Sequence, residues 1–148
     1  MDPIKKDLMS TIIGPDWDKQ NPATEQDIQS LEAAFGAIPE DYKALLLQSN
    51  GSSLRGKKTP FIIYSVSEVL ALFREKDLYK FIPQSLVFGG DGGGTIYCFD
   101  LRPGKEQAVF FIREEDAGYE PNAYNYVVFN GTTLTDTIQR IVNNEKLN

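Results

Sequence analysis

The sequence contains no histidine and one cysteine, which removes most of the side-chain chemistry by which small proteins hydrolyse substrates or hold metals. Without imidazole there is no histidine general base, no Ser-His or Cys-His nucleophile pair and no imidazole zinc site. Cys98 cannot form an internal bridge or a cysteine metal centre. It stands in the apolar alternating run Thr95-Ile96-Tyr97-Cys98-Phe99, where a thiol reads as core material. Carboxylate chemistry survives this screen, with Asp91, Asp100 and the run Glu114-Glu115-Asp116 as its candidates. A catalytic carboxylate pair requires a defined spatial separation that linear spacing does not supply. The run at 114–116 directly follows a predicted strand, where a solvated acidic turn is the simpler reading. A small-ligand binder or carboxylate-dependent enzyme using Asp91 and Asp100 therefore stands as an alternative. No catalytic residue, metal ligand or cofactor is assigned.

Two further features have the composition of sites. Gly89-Gly90-Asp91-Gly92-Gly93-Gly94 places five glycines in six residues, which permits backbone angles and close approaches that other residues resist. Such a loop can cradle an anion. Phosphate loops, however, generally feed a helix N-terminus, whereas this one feeds the strand-like Thr95 to Leu101 with no Gly-Lys-Ser/Thr after it. A tight sheet connection is the expected role, and these six residues are assigned as a structural loop. Trp17, Tyr119, Tyr124 and Tyr126 lie in or beside segments rich in Asp, Pro, Gly and Asn, where an amphipathic ring can anchor a partner. The competing reading folds these rings back as lids on the core. It weighs equally with recognition for Trp17 and is favoured for Tyr126.

The elements that must position these residues can be read from periodicity. Ile4, Leu8, Ile12 and Ile13 form a weak helical stripe ending at Gly14-Pro15. A better-marked helix begins at Thr24, which can cap the free N–H groups ahead of Glu25 and Asp27, and carries Ile28, Leu31 and Phe35 on one face up to Gly36. After Ile38-Pro39, the segment from Glu40 to Ser49 sets Tyr42, Leu45 and Leu46 on a second apolar face before Asn50-Gly51. Ser52 to Thr59 reads as a polar loop, Pro60 to Tyr64 as a strand, and Ser67 as the cap of a helix carrying Val69, Leu70, Leu72 and Phe73. Leu86 to Phe88, Thr95 to Leu101, Gln107 to Arg113 and Tyr126 to Phe129 are β-branched or aromatic runs expected to make one antiparallel sheet. Thr135 or Asp136 opens a closing helix with Ile138, Ile141 and Val142, and the tail from Asn143 is expected to fray. Helices, then a sheet, then a closing helix define an α+β class.

At 148 residues, with 41% hydrophobic and 24% charged residues, the chain has the size and composition of one globular domain. Its 15 basic and 21 acidic residues leave a net charge of −6. That charge disfavours a nucleic-acid partner and favours a basic protein. Met1 to Asp7 shows no apolar segment behind its lysines, so no secretory leader is expected. No run approaches the roughly 20 apolar residues of a membrane span. With a free thiol in an apolar strand, these features point to a cytoplasmic setting.

The ordered set Ala23 to Glu32, then Ile38-Pro39-Glu40-Asp41-Tyr42-Lys43-Ala44-Leu45-Leu46, then Asn50-Gly51, resembles the opening of the SUKH superfamily of bacterial toxin-immunity proteins, which includes the yeast cell-wall assembly regulator family. Leu86-Val87-Phe88-Gly89-Gly90-Asp91-Gly92-Gly93-Gly94, followed by Thr95 to Asp100, is similar to that family's strand, Asp-Gly-Gly turn and following strand. The likeness spans about residues 20–142, within a single domain of residues 1–148. The polar segment from Ser52 to Thr59 departs from any fixed family pattern. The resemblance implies a non-catalytic α+β domain that binds and neutralises a cognate toxin, often a nuclease; other members act as regulatory or scaffolding adaptors. An acidic chain suits a basic toxin domain. Glu114, Glu115, Asp116, Tyr119, Tyr124 and Trp17 are the expected partner-binding residues, joining charge for approach to aromatic area for contact.

Overall fold

In the computed structural model, which describes residues 17–54, 60–75, 77, 79–119, 121–130 and 133–143, seven strands form one antiparallel sheet. Each strand pairs with its predecessor: β1 (Trp17–Lys19), β2 (Ser52–Leu54), β3 (Phe61–Ile63), β4 (Ser85–Gly90), β5 (Thr95–Asp100), β6 (Val109–Arg113) and β7 (Phe129–Asn130). Between and after them lie helices α1 (Glu25–Phe35), α2 (Glu40–Leu46), α3 (Val66–Glu75), α4 (Glu114–Tyr119), a 3₁₀ turn at Ala123–Tyr126, and α5 (Leu134–Val142). The class is α+β, as the sequence pattern predicts. None of the described helices is long and apolar enough to cross a membrane.

The central strands are buried on both faces, and their two-residue period sorts side chains between two cores. Leu86 and Phe88 of β4 and Tyr97 and Phe99 of β5 turn to one side, where Ile28 and Leu31 of α1, Tyr42, Leu45 and Leu46 of α2, and Leu134 and Ile138 of α5 cover them. Val87, Ile96, Cys98, Phe110 and Ile112 turn to the other, under Tyr79, Ile82, Ala117 and Ala123. Phe88 and Phe99 stack at 4.4 Å between centroids in the first core. Tyr42 lies beside both rings, fully buried, and its hydroxyl has no hydrogen-bond partner among the described residues. Burial pushes its phenol far above the ordinary tyrosine range.

Helix starts are fixed by short-range chemistry. Thr24 Oγ1 accepts from the Asp27 N–H at 3.1 Å while Asp27 Oδ2 accepts from the Thr24 N–H at 2.9 Å, a reciprocal cap on α1. Ser65 and Glu68 make the same exchange for α3. The expected cap at Ser67 is thus displaced by two residues. Asn50 Oδ1 reinforces this start from outside the local sequence, accepting from the Val66 N–H at 2.9 Å. For α5, Thr133 Oγ1 accepts from the Asp136 N–H. The buried carboxylate of Asp41 adds a second cap, accepting from Thr135 N–H at 3.0 Å and Thr135 Oγ1–H at 2.9 Å. One short carboxylate thereby ties α2 to α5.

Three other expectations change. Ser52 to Leu54 is not loop but β2, paired with both β1 and β3; its serines donate across to β1, Ser52 Oγ–H to Asp18 O at 3.0 Å and Ser53 Oγ–H to Asp18 Oδ2 at 3.2 Å. The run from Tyr126 to Phe129 is not one strand, because its first residue closes the 3₁₀ turn and only Phe129 and Asn130 reach ladder register with β6. Glu114 to Asp116 are not a turn but the first half of α4. The leading helix expected at Ile4 to Ile13 lies outside the described residues, as does the tail beyond Asn143.

Candidate functional site

The glycine-rich segment joins β4 to β5, and its first two glycines belong to the sheet itself. A register shift between Val87 and Gly89 bulges β4, and a Cβ on Gly89 would collide with the Ile62 carbonyl oxygen of β3. The Val87 N–H at the bulge donates to the Tyr79 hydroxyl at 2.8 Å. In the turn proper, Asp91 Oδ1 accepts from the N–H groups of Gly93 at 2.8 Å and Thr95 at 3.1 Å, and Gly92 takes φ +75°. The Asp91 carboxylate is thus occupied by its own turn.

Beside this turn lies a groove of about 830 Å³, walled by the end of α3 and the residues after it (Leu72, Glu75, Asp77, Lys80), by Gly93 to Thr95, and by Arg113 to Glu115 with Gly118. The juxtaposition follows from sheet register. Thr95 pairs with Arg113 across β5 and β6, and Glu114 N–H donates to Gly94 O at 2.7 Å, so α4 starts against the glycine turn. Leu72 and the glycines give the groove an uncharged surface, while four carboxylates and two cations line it.

The three acids singled out in sequence have different fates. Asp116 is buried and accepts from Arg113 Nε at 3.0 Å and Nη2 at 3.3 Å. Glu115 also holds Arg113, at 2.9 Å from Nη1. Glu114 has no ion pair among the described residues, and neither have Glu75 and Asp77. Unpaired negative charge therefore gathers on the groove from two of its walls. Glu75, Asp77, Lys80 and Arg113 were not selected from sequence. For Glu75 and Asp77 the sequence signal is the dense charge at Arg74-Glu75-Lys76-Asp77.

Asp100 sits at the opposite end of β5, buried to 1% exposure. Its carboxylate takes two parallel hydrogen bonds from Arg102, at 2.9 Å from Nε and 2.7 Å from Nη2, and one from the Arg102 N–H. The guanidinium lies over the Tyr124 ring, 3.6 Å from its centroid. Burial, with Asp100 adding to it, pushes the Tyr124 phenol up to about 12. The length of β5 separates Asp91 from Asp100, so they do not form a carboxylate pair.

Among the aromatic residues one evenly weighed expectation is decided and one is reversed. Trp17 is 5% exposed in β1, edge-on to Phe61 at 6.2 Å, so its ring belongs to the core and leaves the partner-binding set. Tyr126, expected as a lid, is 48% exposed. Tyr124 is half-buried beneath Arg102, and Tyr119 is the last residue of α4.

A meandering antiparallel sheet with paired N-terminal helices, an Asn-Gly after the second and an Asp-centred glycine turn between its central strands defines a class of small α+β domains. The profile of the SMI1 / KNR4 family (SUKH-1) matches residues 22–130, and the chain belongs to that family. A search of curated proteins returns no match. The matched span contains all three segments that build the groove and stops before α5.

Proposed function

We propose that the chain is a non-catalytic binding domain of the immunity kind, one domain over residues 1–148, that holds a basic toxin domain, such as a nuclease, in an inactive cytoplasmic complex. The observation that carries this reading is the groove beside the glycine turn, where Glu75, Asp77 and Glu114 converge with no ion pair among the described residues, in a chain of net charge −6. Unpaired surface carboxylates add little to a fold, but they accelerate encounter with a cationic partner and reject an anionic one. Membership of the SMI1 / KNR4 family supports an immunity or regulator type of role. The enzyme alternative loses its geometric basis, because Asp91 serves its turn and Asp100 its arginine.

The test is affinity capture with the intact protein from its native host, followed by reconstitution of the captured protein in pure form. The expected result is a one-to-one complex in which the captured protein loses its toxic activity in proportion to added chain. A complex formed with no loss of activity would assign the adaptor role instead. Retention of no protein at all would reject the reading.

A further inference from the structure

We infer that the groove between α3, the glycine turn and α4 receives a surface loop of a partner protein bearing at least two Lys or Arg side chains. This deepens the protein-binding reading and rests on it. The first argument is size, since about 830 Å³ lies toward the upper end of the roughly 300–1,000 Å³ typical of small-molecule pockets. A single side chain leaves most of it empty, and a loop of several residues fills it.

The second argument is the distribution of charge. Glu75 and Asp77 stand on the α3 wall and Glu114 on the α4 wall, and none of the three has an ion pair among the described residues. One bound cation cannot serve both walls at contact distance, whereas two side chains branching from one loop can. The cations already present do not fill this role. Arg113 is held by Glu115 and Asp116 on its own side of the groove, and Lys80 lies 5.2 Å from the Phe81 ring centroid.

The third argument is the lining between the walls. Gly93 and Gly94 present backbone without side chains and Leu72 presents a hydrocarbon surface, the combination along which Lys and Arg stems lie while their charged heads reach carboxylates. A loop main chain can also approach glycine backbone more closely than it can a surface with Cβ atoms. The acidic walls oppose phosphate-bearing and carboxylate-bearing occupants, which leaves a cationic segment as the complementary one.

The experiment titrates the isotopically labelled intact protein, followed by amide NMR shifts, with a disulfide-closed peptide whose turn carries Arg and Lys. A matched peptide with Gln at those positions and spermine serve as comparisons. The cationic peptide is expected to shift the amides of Gly93, Gly94, Thr95, Glu114, Glu115 and Gly118, and to bind less tightly as salt rises from about 50 to about 300 mM. An exposed ion pair is worth a factor of about 1.5 to 5 in affinity, so the variant Glu75→Gln/Asp77→Asn/Glu114→Gln should bind roughly tenfold more weakly. Equal binding by the Gln peptide, shifts mapping elsewhere, or parent-like affinity in the variant would overturn the inference. Spermine binding at least as tightly as the peptide would also overturn it, by making the groove a polyamine site. The variant also separates this failure from that of the broader reading. A captured partner that binds variant and parent alike removes the groove and leaves protein binding intact.

Discussion

The two ends of β5 treat charge in opposite ways. At Asp100 the carboxylate is buried, takes two side-chain hydrogen bonds from Arg102 and is roofed by Arg102 on Tyr124. At the Thr95 end the groove carboxylates Glu75, Asp77 and Glu114 are exposed and have no ion pair among the described residues. A buried charge must be matched inside the fold or the fold fails. An exposed one is nearly neutral for stability and remains free to act on something else. What holds the glycine-turn end together is backbone geometry with the Asp91 carboxylate inside the turn, and the carboxylates of Glu75, Asp77 and Glu114 take no described part in it.

The largest effect separating these roles is expected at Gly89. Gly89→Val forces a side chain into the Ile62 carbonyl of the adjacent strand, and destabilisation above about 4 kcal/mol, near the whole stability of a small domain, should leave little folded protein by circular dichroism. Gly92→Val, at φ +75°, should melt measurably lower than the parent. Gly93→Val should do so least of the three, since its Cβ meets only the Asp91 carboxylate at ordinary contact distance. Parent-like melting of all three variants would show that the segment tolerates side chains throughout.

At the other end, Arg102→Ala strands the buried Asp100 carboxylate and should lower unfolding free energy by about 3 kcal/mol in urea denaturation. The double variant Asp100→Ala/Arg102→Ala should lose clearly less than the sum of the single changes. Additive losses would mean that the pair is not coupled and that the contrast between the two ends is false.

A smaller effect follows from the buried phenols. Burial raises Tyr97 and Tyr124 to about 12 against an ordinary value of 10.0, so the unfolded chain gives up phenolic protons first as pH rises. Stability is therefore intact below about pH 10 and falls between about pH 10 and 12. In an alkaline titration, part of the tyrosinate absorbance should appear only together with loss of ellipticity. Appearance of all of it before unfolding would place both phenols in contact with water.

Smaller again is Tyr42→Phe, which removes a buried hydroxyl with no described partner. Its thermal midpoint should equal or exceed the parent's, by an amount worth up to about 1 kcal/mol. The least change in stability is expected for Glu75→Gln/Asp77→Asn/Glu114→Gln, within about 0.5 kcal/mol of the parent, while its association rate with a basic partner falls and loses salt dependence. A marked drop in stability in this variant would return the groove acids to the fold.

Most of the fold was legible where local chemistry and tertiary position agree. Thr24 followed by Asp27 announces α1, and the alternation from Thr95 to Asp100 announces a strand buried on both faces. Legibility ended where distant residues decide. Ser52-Ser53-Leu54 has the composition of a loop and becomes a strand because β1 and β3 flank it. Ser65 rather than Ser67 caps α3, through its exchange with Glu68, and the distant Asn50 adds a bond to Val66. The candidate site was half legible. Glu114 and the glycines stand out in the sequence, but the sequence does not show that Glu114 has no ion pair among the described residues while Asp116 is neutralised, nor that Glu75 and Asp77, Gly93 to Thr95, and Arg113 to Glu115 wall one groove. Trp17, evenly balanced between core and surface in the sequence, faces inward, and Tyr126, expected as a lid, faces outward, because a ring beside polar residues is placed by neighbours distant in sequence.

The order of the sheet also governs how the chain can assemble. Each strand finds its partner immediately before it in sequence, so after β1 closes on β2 across the two helices, the ladder can lengthen one strand at a time with comparatively short loop closures. The bond from Asp41 to Thr135 spans 94 residues and stands outside this zipper. Docking of α5 closes that much longer loop, and a chain interrupted before it would leave the Asp41 carboxylate without Thr135 and the first core without Leu134 and Ile138, the kind of exposed apolar surface from which aggregation starts.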